Sequence, residues 1–125
     1  QLDYQKSLEY YAQSEAIAGK HKIENLQAAV WGNMGNVYYD MKNYPKAIEY
    51  HTKSLEIDKK NNNQQGIGNS LHNIGMVYRS QGNFSRAIDY YKQSLQIDLK
   101  EGNQRNIGIS YLDFTELYLE IKDYK

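Results

Sequence analysis

The residues of this chain that could do chemistry are three histidines, some paired carboxylates and two glycine clusters, and their spacing argues against catalysis. His21, His51 and His72 lie 30 and 21 positions apart, which is neither metal-ligand nor catalytic-dyad spacing. On helices such histidines read as surface or seam residues. With no cysteine, thiolate metal sites and disulfides are excluded. Gly66-Ile67-Gly68 lacks the third glycine and preceding strand of a dinucleotide fingerprint, and no phosphate loop is present. Asp113 and Glu116 stand one helical turn apart and read as a solvated face. Asn83-Phe84-Ser85 is a formal glycosylation sequon, but Asn83 is better placed to cap a helix. The residues therefore predict a non-enzyme with no metal and no cofactor.

The elements that position these residues repeat. Residues 33–60 laid over 73–100 agree at 13 of 28 positions, among them Asn33/Asn73, Gly35/Gly75, Tyr38/Tyr78, Ala47/Ala87, Ser54/Ser94 and Asp58/Asp98. The echo runs back to Tyr10 and forward to Tyr118 and Tyr124. A fixed period of this size marks a stacked array, in which each unit buries its apolar face only on its neighbours. Ile67, Leu71, Ile74 and Tyr78 form one helical stripe, and Phe84, Ala87, Ile88, Tyr91 and Leu95 form the next. Between them Gly82 is suited to end a helix and Asn83 to start one. One period earlier Lys42-Asn43-Tyr44-Pro45 does the same, with Pro45 in a first turn.

The spacing predicts helices near 3–19, 24–41, 44–60, 66–81, 84–100 and 106–122, and no strand. Residues 26–60 and 66–100 read as complete helix pairs. Residues 1–20 read as the second helix of a preceding pair, and 106–125 as the first helix of a following one. The polar stretches 59–66 and 100–106 read as exposed connectors. With no terminal cap visible, the expectation is a slice of a longer array.

Composition narrows the partner. Fifteen basic and fifteen acidic residues leave no net charge, which argues against nucleic acid. Apolar runs fall far short of the about 20 residues that span a bilayer. Neither a membrane segment nor a signal peptide is visible, and the expected location is cytoplasmic. Thirteen tyrosines suit a thin two-layer array rich in half-buried positions.

Trp31-x-x-Met34-Gly35-x-x-Tyr38, followed by Tyr44-x-x-Ala47 and Ser54, resembles the tetratricopeptide repeat. Leu71-x-x-Ile74-Gly75-x-x-Tyr78 with Phe84-x-x-Ala87 and Ser94 repeats the resemblance, and Tyr111-x-x-Phe114-Thr115-x-x-Tyr118 begins a third copy. The period of 40 is similar to the variant in kinesin light chains, Leu-Gly-Asn adaptors and arrays of bacterial regulators. The resemblance implies an all-α fold, a right-handed superhelical solenoid of antiparallel helix pairs. Gly35 and Gly75 are expected to let paired helices approach closely, opposite Ala47 and Ala87. Thr115 replaces the glycine in the third unit, where slightly different packing is expected.

The resemblance further implies that the first helix of each pair lines a concave groove for an extended peptide or partner helix. On this chain that face is expected to carry Asn33, Asn36, Tyr39 and Asp40, then Asn69, His72, Asn73, Met76 and Arg79, then Leu112, Asp113 and Glu116. Amide side chains both donate and accept, which suits a peptide backbone. Acidic residues outnumber Arg79 there, so a basic or mixed peptide is expected over an acidic tail. The alternative is a regulatory input region of a larger signalling protein, sensing a peptide or small ligand. The unpaired terminal helices also suggest head-to-tail association of two copies.

Overall fold

The computed structural model describes residues 3–123; Tyr124 and the outermost ends of the two terminal segments lie outside them. Those residues form six α-helices and no strand: α1 (Tyr4–Lys20), α2 (Glu24–Asp40), α3 (Tyr44–Lys60), α4 (Gln64–Ser80), α5 (Phe84–Glu101) and α6 (Gln104–Asp123). Each packs on its neighbours in sequence, and α2 also touches α4, so the array has no central core.

Every helix stops and restarts in one way. Lys22, Lys42, Asn62, Gly82 and Gly102 all take left-handed φ, between 53 and 77°. The next residue then opens the following helix. Asn43, Asn63, Asn83 and Asn103 each accept a hydrogen bond from the backbone N–H three residues on, at 3.1–3.4 Å. These caps make the connectors shorter than the sequence suggested. Gln64-Gln65-Gly66 and Gln104-Arg105 belong to helices because Asn63 and Asn103 satisfy their first-turn donors.

Ile23 alone breaks the rule, occupying the same position before α2 with no side-chain cap. Ile23→Asn is therefore expected to raise stability by about 1 kcal/mol. A higher urea midpoint at unchanged slope would show it.

The seam inside each pair is close at its glycines. Ala47 and Ala87 are fully buried, but the atoms nearest to Gly35 and Gly75 belong to larger rings. These rings lie one turn further along the second helix. A Cβ on Gly35 would lie 2.7 Å from Nε2 of His51, and one on Gly75 would lie 2.6 Å from Tyr91. Glycine empties the space that a buried ring fills. Thr115, at the third such position, is exposed and donates to its own helix at Tyr111 O, 2.9 Å away.

Two buried clusters join successive helices. Leu55, Ile67, Leu71 and Ile74 link α3 to α4, with Tyr78, Tyr90 and Ile97 against them. Ala87, Tyr91 and Leu117 link α5 to α6, with Phe114 and Ile121 packed alongside. Tyrosines fill half-buried edges: Tyr38 stacks on Tyr50 at 5.4 Å and Tyr78 on Tyr90 at 5.5 Å. Lys46 and Arg86, one period apart, lie over Tyr38 and Tyr78. Trp31 Nε1 donates to Glu15 at 3.0 Å, tying α1 to α2.

Candidate functional site

Helices α2, α4 and α6 border three clefts. The first measures about 340 Å³ and lies between the α2–α3 pair and α4. Asn33 and Asn36 of α2 and Asn69 and Asn73 of α4 line it, so two pairs of expected groove residues meet across one opening. The α3 side of the cleft carries His51, Ser54 and Asp58. Ser54 Oγ donates to Ala28 O at 2.9 Å, and Ser94 repeats this with Gly68 O at 3.0 Å. Both bonds clip the second helix of a pair to the first.

The second cleft is the same place one period on, yet measures only about 140 Å³. Ser94, Asp98 and Ser110 repeat Ser54, Asp58 and Ser70, but His72 and Asn106 stand where the first cleft has Gly32 and Gly66. Side chains replace empty volume. His72 is held against Tyr91 at 5.4 Å, and its Nδ1 lies 3.5 Å from Asp113 Oδ2. Burial holds the Asp113 carboxyl above its usual range, with His72 acting the other way.

The third cleft, about 340 Å³, gathers Tyr39, Met76, Arg79, Ser80 and Glu120 where α2, α4 and α6 end. Tyr39 Oη and Ser80 Oγ are 2.8 Å apart. Arg79 Nε donates to Glu120 at 2.7 Å, its Nη2 reaches the same carboxylate, and Glu116 lies 3.4 Å away. The cation on this face is thus already neutralised. Of the remaining expected groove residues, Asp40 is exposed at the end of α2 and Leu112 is exposed on α6. Neither lines these three clefts.

Reading only first helices missed His51, Ser54, Asp58 and Asn63. A signal existed, since Ser54/Ser94 and Asp58/Asp98 are polar identities within otherwise apolar stripes. His51 is 1% exposed, and burial pushes its imidazole down to about 4. Its Nδ1 has no hydrogen-bond partner among the described residues. Burial also pushes the Tyr91 phenol up to about 12. The described residues contain no cluster of His, Asp and Glu fit to hold a metal ion, and no helix long and apolar enough to cross a membrane.

The family model of the tetratricopeptide repeat matches residues 26–100, and the chain belongs to that family. Its Ala-x3-Phe step reads Ala47-x3-His51 and Ala87-x3-Tyr91 here, so His51 is a polar ring in an aromatic place. Among solved structures the chain is similar to BtubC (BKLC) from P. vanneervenii, with TM-score 0.86 and 20% identity over 97% of this chain and 50% of that one. It is similar to the apo form of RapI, with TM-score 0.82 and 24% identity over 97% and 47%. Aspartyl phosphate phosphatase F from Bacillus subtilis follows, with TM-score 0.66 and 16% identity over 99% and 38%. The likeness is one of fold, and the chain spans half or less of each of these proteins. No curated protein matches the sequence.

Proposed function

We propose that this chain is a non-catalytic interaction module that holds an extended peptide or helical segment along the face of α2, α4 and α6. One observation carries this reading: Asn33, Asn36, Asn69 and Asn73 converge on a single cleft, offering donors and acceptors in the mixture a peptide backbone needs. Charge favours a basic or mixed ligand, because Arg79 is occupied by Glu116 and Glu120 while Asp40 stays exposed. Nucleic acid fits this face poorly for the same reason.

A random peptide library selected on the protein tests the reading. Selected peptides should bind Asn33→Ala/Asn73→Ala about tenfold or more weakly, since two hydrogen-bonding groups are lost. Peptides rich in Asp and Glu, or binding indifferent to both asparagines, would refute it.

A regulatory role within a longer signalling protein is the second reading, favoured by the fold shared with two longer chains, RapI and aspartyl phosphate phosphatase F. A catalytic or DNA-binding segment in the same gene, controlled by the same peptide, would establish it.

Head-to-tail association belongs to the proposal as well. Tyr10 and Ile17 of α1, and Tyr111, Leu112, Tyr118 and Leu119 of α6, are exposed. We read 26–60 and 66–100 as whole pairs, with α1 a second-type and α6 a first-type helix. A second copy then covers the exposed side chains of one terminal helix with those of the other. Phe114 and Ile121 are not part of that face, because they pack on α5. A strict monomer by light scattering at high concentration would exclude the association.

A further inference from the structure

We propose that the first cleft is a socket for one lysine or arginine side chain of the bound peptide, with the Asp58 carboxylate as its counter-charge. This inference rests on the groove reading. Asp58 is 8% exposed and lines the cleft. Its one side-chain partner is the Asn63 amide, with Nδ2 3.1 Å from Oδ1. Among the described residues no lysine, arginine or histidine forms an ion pair with it. A carboxylate this far from water is ordinarily matched by a cation.

The surroundings suit such a guest. Gly66 lets the Asp58 carboxylate lie against the main chain of α4 at the edge of the cleft with no side chain over it, since a Cβ there would lie 2.4 Å from Oδ2. Burial raises the Asp58 pKa, and the only opposing influence is Asn63, as expected of a charge awaiting compensation. The cleft's volume falls within the range of ligand pockets.

The array supplies its own control. Asp98 occupies the equivalent position, but Asn106 stands there instead of Gly66, its amide 3.4 Å from Oδ1, and His72 narrows the space to about 140 Å³. The second cleft is therefore closed to a long cationic side chain, and one socket serves the groove.

The test uses a random library of dodecamer peptides, selected on the whole chain. Selected peptides should share a lysine or arginine at one position. Replacing it with norleucine should weaken binding about tenfold or more to the native protein. The same replacement should change binding less than twofold in Asp58→Asn, while Asp98→Asn keeps the full discrimination. The norleucine comparison on the native protein does not depend on how the variants fold. Peptides that need Asn33 and Asn73 but tolerate loss of every basic residue would overturn the socket and leave the groove standing. A library returning no peptide dependent on those asparagines would overturn both.

Discussion

Gly75→Ala is expected to destabilise the protein by about 2 kcal/mol, although alanine is the better helix former. The added methyl would lie 2.6 and 2.8 Å from two ring carbons of Tyr91 and 3.3 Å from Cβ of Tyr90. Tyr91 is 2% exposed, stacked by His72 and met edge-on by Phe114 at 5.9 Å, so its ring has nowhere to retreat. Overpacking of about 3 kcal/mol outweighs the about 1 kcal/mol gained in helix propensity. Gly108→Ala makes the same chemical change where a Cβ meets nothing within 4 Å. It is expected to gain up to about 1 kcal/mol. Denaturant titrations of both variants check the pair, and a stabilised Gly75→Ala would mean that the seam is looser than described.

Acidification is expected to weaken the fold through His51. Its imidazole stays neutral in the folded protein down to about pH 4, because burial disfavours the charged form. The unfolded chain takes up that proton near pH 6.5. Between these values the unfolded state binds more protons, so stability is full above pH 6.5 and falls until the folded state protonates as well. The interval corresponds to about 3 kcal/mol. Asp58 and Asp113, raised by burial, work in the opposite direction as pH falls through their own range. The His51 contribution is therefore read by difference. His51→Phe, which restores the aromatic residue of the family pattern, should lose the decline between pH 6.5 and 4 while the carboxylate contributions remain. An unchanged pH profile in that variant would place the sensitivity elsewhere.

Much of the fold was legible because its determinants are local. Helix stripes such as Ile67, Leu71, Ile74 and Tyr78 follow from a 3.6-residue period, and turns such as Gly82-Asn83 follow from left-handed φ and side-chain capping. One regularity was obscured. The turns recur every 20 residues, from Lys22 to Gly102, but alternate helices bury different faces, so side-chain identity repeats only every 40. The connectors were drawn too long because Asn63 and Asn103 were read for polarity and not as caps.

The candidate site was half legible. The four asparagines of the first cleft could be named because the resemblance to the tetratricopeptide repeat implies which helix face is open. What lies opposite them could not be placed.

The sequence by itself therefore determined the helices, their turns, the repeat and the family, all of which depend on spacing along one chain. Only the tertiary structure decided that Gly35 faces His51, that Arg79 is neutralised by Glu116 and Glu120, and that Asp58 lies unpaired in an open cleft while Asp98 lies in a filled one. Those pairings join residues 16 to 41 positions apart. They depend on how two helices cross, which no residue specifies alone.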